Sequence, residues 1–256
     1  MGIEEMKNLF PTRAVYEEYF QTYYGPLLEA NGLTKVKGPH WVRLCDDQVL
    51  TGVHFVQERS WFYLYYSLQP LFFPVVFPTK QSDYHQRRMS FFNAELIFCR
   101  KFKVSSYNNA TPLYEGSREK TVKYYQAMLN HVVLPAFQKI RDVETCHQVY
   151  LEQRSLDPLV ISLDTRNLLE CVYLNLEDEC ERFLNRELVP LLQRDGPDFR
   201  VPLEYEWLKR SRSGQYGVPV KDLIDSLSGD RQLLWKWMKQ TEEKSRKTVQ
   251  KAFGIG

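Results

Sequence analysis

Ser117-Arg118-Glu119-Lys120 has the spacing of a Ser-x-x-Lys nucleophile, in which a serine at a helix N-terminus is activated by a lysine one turn further on. The companions of that chemistry are missing. Ser82-Asp83-Tyr84 precedes the tetrad and no Lys-Thr-Gly strand follows it, so Ser117 reads as a helix N-cap. Cys146 and His147 are neighbours, and on a helix adjacent side chains diverge by about 100°. That spacing gives a core cysteine beside a surface histidine, not a metal or thiolate pair. Glu177-Asp178-Glu179 with Glu181 is acidic enough for a cation but lacks the glycine and alternating oxygen ligands of a calcium loop. It reads as a solvated helix start, favoured by the helix dipole. Neither Cys-x-x-Cys nor His-Glu-x-x-His occurs, so no metal site is expected. No glycine-rich phosphate loop and no Gly-x-Ser-x-Gly elbow is present, and no cofactor is expected. What remains is a dispersed polar set, His54, Tyr63, Tyr65, His85, Arg87 and Glu95, which could line a ligand-binding cleft if the fold brings it together.

Those residues hang on a strand-rich first half. Trp61 to Phe73 is an aromatic run that predicts a buried strand, with Phe62, Leu64, Tyr66 and Leu68 on one face and Trp61, Tyr63, Tyr65 and Ser67 on the other. The first face is core. The second carries hydroxyls and an indole N–H that need partners when buried. Trp41 to Cys45, an Asp46-Asp47-Gln48 turn and Val49 to Gln57 precede it, and such short turns predict consecutive antiparallel pairing. Val49, Thr51, Val53 and Phe55 share a side. Pro70, Pro74 and Pro78 make Leu71 to Phe77 an edge or an irregular segment, and a further strand is expected around Leu96 to Phe102.

Helices frame these strands. Thr12 can cap a first helix to about Asn31, with Val15, Tyr19, Tyr23 and Leu27 at helical spacing and Pro26 as a kink or a fresh last turn. Val122, Tyr125, Leu129, Val132, Val133, Ala136, Phe137 and Ile140 give the helix after Ser117 a stripe broad enough to roof the sheet. A short helix, Val143 to Arg154, follows. From Leu156 onward strand signals vanish. Thr165 to Arg194, with a break near Glu177-Asp178, Val218 to Ser228 and Asp230 to Phe253 read as helices. Asp195 to Gly217 is the most linker-like stretch.

Composition bounds the function. The chain has 256 residues, 43% hydrophobic and 26% charged, which suffices for a real core. Five dispersed cysteines fit reduced thiols rather than a disulfide framework. Met1 to Phe10 carries Glu4, Glu5 and Lys7 where a signal peptide needs an apolar stretch, and no apolar run approaches the roughly 20 residues of a membrane span, so a cytoplasmic location without membrane contact is expected. Charge is uneven. Arg141 to Phe199 holds 6 basic and 13 acidic residues, and Arg200 to Gly256 holds 12 and 7, giving −7 and +5. His85-Gln86-Arg87-Arg88 and Arg100-Lys101-Phe102-Lys103 lie near aromatics, as in sheets that stack single-stranded bases, but a pI near 8.2 argues against nucleic acid as partner.

Pro26-Leu27-Leu28-Glu29-Ala30-Asn31-Gly32-Leu33-Thr34-Lys35-Val36-Lys37-Gly38, followed by Trp41-Val42-Arg43-Leu44, resembles the opening of a bacterial family catalogued as a domain of unknown function, number forty-three zero four. Leu129 to Gln138, followed by Asp142-Val143-Glu144, is similar to that family's second landmark, a helix with a Leu-Pro-aromatic ending. The resemblance covers about residues 12–156, and departs at Leu33, where the family has an aromatic. It implies an α+β fold and brings no assigned catalytic residues. Arg182 to Gly196 echoes the Pro-Leu-Leu ending without the strands that follow it.

The expected architecture is therefore α+β: an antiparallel meander sheet covered by helices in residues 1–156, then an all-helical segment in 157–256. The expected function is binding of a protein partner without catalysis. A small-ligand binder or hydrolase-type enzyme using the dispersed polar set is the alternative, and single-stranded nucleic-acid binding the third.

Overall fold

In a computed structural model of the chain, residues 13–36, 38–58, 61–73, 100–101, 111–112, 118–155, 165–201, 218–229 and 231–254 are described. Two compact units emerge, one made of residues 1–69, 77–142 and 249–256, the other of 70–76 and 143–248. The fold is α+β.

The first unit opens with α1 (Arg13–Ala30), which runs through Pro26 without interruption. Its wholly buried positions are Phe20, Tyr24 and Leu28, so the core stripe is turned by one residue from the Tyr19-Tyr23-Leu27 expectation, and Tyr23 is exposed. Gly32, at φ +80°, ends the helix in a conformation that costs a residue without Cβ little. Four strands follow: β1 (Thr34–Lys35), β2 (His40–Cys45), β3 (Val49–Glu58) and β4 (Trp61–Pro70), adjacent in that order and antiparallel. The β2–β3 turn holds Asp46 and Asp47 at φ +44° and +52°, which short polar side chains tolerate, and fixes the register Cys45↔Val49 to His40↔His54. On its far side β4 pairs with β5 (Arg100–Lys101) and with β6 (Thr111–Pro112), so it is a mid-sheet strand. Only two residues of the further strand expected around Leu96 to Phe102 are described, and Thr111-Pro112, expected in a loop, pairs with Trp61-Phe62.

The roof is α2, made of Arg118–Met128, a π-helical turn Leu129–Val133 and Leu134–Lys139. Phe55 is the centre of the core beneath it, stacked on Phe20 at 4.3 Å and Tyr24 at 4.7 Å and met edge-on by Trp41 and Tyr125. Tyr66 meets Phe137, and the Arg43 guanidinium donates to the Phe137 carbonyl. Burying each such side chain is worth about 1.5–3 kcal/mol, so this face holds the helices on the sheet.

The second unit holds α3 (Val143–Ser155), α4 (Thr165–Tyr173), α5, α6 (Val220–Ser228) and α7 (Arg231–Phe253) as far as Thr248, α5 comprising Glu177–Phe183, a π-helical turn Leu184–Leu188 and Val189–Asp195. The helix expected over 165–194 breaks at Asn175, φ +57°, where the Leu176 N–H reaches back to the Cys171 carbonyl. Strands do occur here, contrary to expectation: β7 (Arg200–Val201) pairs with β8 (Val218–Pro219), so the helix predicted from Val218 starts at Val220. Two-residue strands leave no alternation to read. The π turns share a cause. Leu129-Asn130 and Leu184-Asn185 each stand six and five residues ahead of a proline, Pro135 and Pro190, whose ring would strike the carbonyl four residues back. The N–H groups of Leu134 and Val189 instead bond five residues back, which widens the turn.

Candidate functional site

The sheet face away from α2 carries a row of polar side chains. Register sets His40 directly across from His54 and Val42 across from Gly52, and β4 presents Ser67 beside them. The His54 Nε2 lies 2.9 Å from the Ser67 Oγ, and the His54 Nδ1 lies 3.2 Å from the His40 Nδ1. Gly52 makes this possible, because a Cβ there would lie 2.8 Å from the His54 Nε2 and 3.0 Å from the Ser67 Oγ. Burial holds the His54 pKa well below the ordinary histidine range, and the facing His40 lowers it further, so His54 is neutral. A neutral imidazole joins its neighbours in one of two tautomers. In the first, Ser67 donates to Nε2 and His54 donates from Nδ1 to His40, which is the polarity of a serine activated by a histidine relay. In the second both donations reverse and the serine is only held in place. Ser67 is 0% exposed and His54 1%.

Of the dispersed polar set, the structure therefore gathers His54 with His40 and Ser67. Tyr63 and Tyr65 belong to β4, and Tyr65 pairs with Lys101, but their side chains lie outside the described residues, as do His85, Arg87 and Glu95 altogether. His40 was missed by sequence reasoning. The hairpin register, countable from the Asp46-Asp47 turn, places it opposite His54.

The second unit holds two further polar clusters. Glu170, wholly buried on α4, accepts from the Arg166 Nε at 2.7 Å and sits 2.7 Å from the His147 Nδ1. Arg166 also approaches the Cys146 sulfur at 3.5 Å and lies 4.1 Å over the Tyr150 ring. His147 is 6% exposed, which corrects the expectation of a surface histidine. Its 100° divergence from Cys146 is real, yet Arg166 and Glu170 are long enough to serve both. Around Tyr173, the hydroxyl donates to Glu242, and the Lys239 Nζ donates to the hydroxyl at 2.5 Å. Arg246 holds the other oxygen of Glu242 at 2.8 Å. Burial and the adjacent Glu242 carboxylate raise the Tyr173 pKa, so this phenol stays protonated. Cys171 is pushed up to about 12, chiefly by burial, and burial raises Cys180 as well. Neither is a nucleophilic thiolate at neutral pH. Among the described residues no three His, Cys, Asp or Glu side chains gather to hold a metal ion.

Among the described residues, large apolar side chains are exposed at Tyr23, Leu151, Leu176, Phe199, Leu233 and Trp235. Leu233 is 68% exposed and Trp235 36%, the latter donating its indole N–H to the Tyr173 carbonyl. No helix among the described residues is long and apolar enough to cross a membrane. No family model matches the sequence, and no curated protein or solved structure matches it at a significant level.

Proposed function

We propose that this chain is a cytoplasmic, non-enzymatic module that binds another protein, and that α7 supplies the contact. The observation that carries this reading is Leu233, a large aliphatic side chain 68% exposed on a well-formed helix, with the half-exposed Trp235 two residues on. Trp235 points about 200° away round the helix, towards the Tyr173 carbonyl, so the outward anchor of this reading is Leu233. The His54–Ser67 pair and Glu170 with Arg166 and His147 are, by contrast, buried and bonded to one another. Buried free thiols at Cys45, Cys146, Cys171 and Cys180 suit a reducing compartment. The family resemblance adds no activity to set against this. The test is a paired capture from the native host with the wild-type chain and Leu233→Glu. A stoichiometric protein held by the first and released by the second supports the proposal. No stoichiometric protein, or one indifferent to the substitution, refutes it.

A second reading, a hydrolase-type enzyme, is favoured by one observation, the 2.9 Å approach of the Ser67 hydroxyl to a neutral His54 backed by His40. Burial of both groups weighs against it, because an acyl substrate must reach the Ser67 Oγ. A fluorophosphonate probe decides. Adduct on Ser67 of the folded protein, lost in His54→Gln, establishes the enzyme reading, and an unlabelled Ser67 ends it.

A further inference from the structure

Asn31-Gly32 is the one Asn-Gly step in the chain, and it stands at the corner between α1 and β1. An asparagine followed by glycine is open to attack on its own side chain, because glycine has no Cβ to shield the backbone nitrogen that attacks. The corner needs that glycine. α1 ends in a Schellman motif, in which the Gly32 N–H bonds the Glu29 carbonyl at 3.0 Å and the Leu33 N–H bonds the Leu28 carbonyl at 3.1 Å. The motif requires a residue at positive φ, which Gly32 supplies at +80°. Leu28 and Leu33 are both buried, so the turn is pinned to the core on either side.

The same cap engages every group the reaction would use. The Gly32 nitrogen is committed to Glu29. The Asn31 Nδ2 donates to the Leu27 carbonyl at 2.8 Å, and the Asn31 Oδ1 accepts from the Gln138 Nε2 at 3.3 Å. Gln138 belongs to α2, so the roof helix holds this side chain from outside its own element. Asn31 is half-buried and Gly32 exposed, which leaves water at hand.

We infer that Asn31 is a self-deamidation site that the α1 cap holds shut, so that its conversion records how often this corner of the first unit opens. In the step, the Gly32 nitrogen attacks the Asn31 Cγ and loses its proton, the Cγ–Nδ2 bond breaks, and Nδ2 leaves as ammonia. Water then opens the resulting succinimide at either carbonyl, giving aspartate or isoaspartate. Water is the sole co-reactant. Either product places a carboxylate where an amide N–H met the Leu27 carbonyl, at the helix end where negative charge is unfavourable. Isoaspartate also adds a carbon to the main chain between residues 31 and 32. The two Schellman bonds and the pairing of Thr34 with Val42 then cannot all be kept. The conversion is therefore one-way for the fold as well as for the bond.

Asn175 supplies an internal comparison. It too sits at a helix end with positive φ, +57°, but Leu176 follows it and carries the side chain that glycine lacks.

The test ages the full chain in mildly alkaline buffer, folded and in guanidinium chloride, and digests it with trypsin. The peptide from Ala14 to Lys35 carries Asn31 and is resolved into its amide, aspartate and isoaspartate forms by chromatography and mass spectrometry. In denaturant the amide is expected to disappear at least about tenfold faster than in the folded chain, because the cap hydrogen bonds no longer have to break first. Gln138→Ala, which removes the tie from α2, should speed the loss in the folded chain about two- to fivefold, with circular dichroism confirming the fold. Asn31→Asp, which reproduces one product, should lower the denaturant midpoint of the first unit. An Asn31 that stays intact in denaturant overturns the site, and so does an Asn175 that converts as fast. Equal rates in the folded and denatured chains overturn the guard, as does a Gln138→Ala rate equal to that of the wild type. A midpoint for Asn31→Asp at or above the wild-type value overturns the effect on the fold.

Discussion

Lowering the pH should weaken the first unit through His54 specifically. Its folded pKa is depressed, by burial first and by His40 second. The unfolded chain, with a histidine pKa of about 6.5, therefore binds the proton more readily than the folded one. Stability is fully present above about pH 6.5 and falls as the pH drops towards the folded value, with a limiting slope of about 1.4 kcal/mol per pH unit. One unit below the unfolded pKa, near pH 5.5, the loss reaches about 1.4 kcal/mol, a tenfold change in the folding equilibrium. Other histidines and carboxylates also titrate, so the readout is the difference between wild type and His54→Gln. A chain with two compact units can unfold in more than one step. Hydrogen exchange at the β3 and β4 amides, corrected for intrinsic pH dependence, reports on the first unit alone. Parallel pH profiles for the two proteins between about pH 5 and 8 would refute the reasoning, since they would mean that the His54 ring is hydrated or already charged in the folded state.

Gly52→Ala should cost about 1–3 kcal/mol of first-unit stability in urea unfolding, because the new methyl overlaps the His54 ring and the Ser67 hydroxyl. It should also flatten the His54 pH dependence, whereas an unchanged midpoint would show that the ring can move aside freely. In the second unit, Glu170→Gln should cost about 3–5 kcal/mol, because it removes the carboxylate that both His147 and the buried Arg166 rely on. Replacing Arg166 and Glu170 together by methionine should restore most of that loss in the same thermal melts. A double variant no better than the single one would show that packing, not the uncompensated charge, sets the cost.

The first half of the chain was legible because its signals are local and redundant. Alternation through Val49, Thr51, Val53 and Phe55 and a three-residue Asp46-Asp47-Gln48 turn fix strand, register and face at once, and the aromatic run then has a single place to pair. The α2 stripe, from Val122 to Ile140, was readable for the same reason. Long-range polar pairing was not. His147 looks like a surface residue until Glu170, twenty-three positions away, is known to reach it. β7 and β8 are two residues each, too short for any periodicity, and pair antiparallel across a stretch that carries no strand signal. The π turns lay in the sequence as two matching Leu-Asn segments ahead of Pro135 and Pro190, where each helix was expected to run through its proline without a change of turn.

Why the sheet should carry a Ser–His–His row at all has an answer that needs no catalysis. Both faces of this sheet are closed, since Val42 and Leu50 are as buried as Phe55 and Val53. A doubly buried sheet loses the usual register signal, because a slip of one residue exchanges one apolar row for another at little cost. With His40, His54 and Ser67 in the sequence the exchange becomes expensive: a slipped β2–β3 pair would drive the imidazoles among Phe20, Tyr24 and Tyr125, where buried polar groups are left without donors or acceptors. The row therefore contributes specificity more than stability, and Gly52 is the residue that lets it close. On this account replacing Ser67 and His54 by apolar residues of similar size should leave the melting temperature nearly unchanged while broadening the amide spectrum of β2 and β3. A single sharp set of resonances in that variant would leave the row without a register role and return attention to the Ser67 hydroxyl.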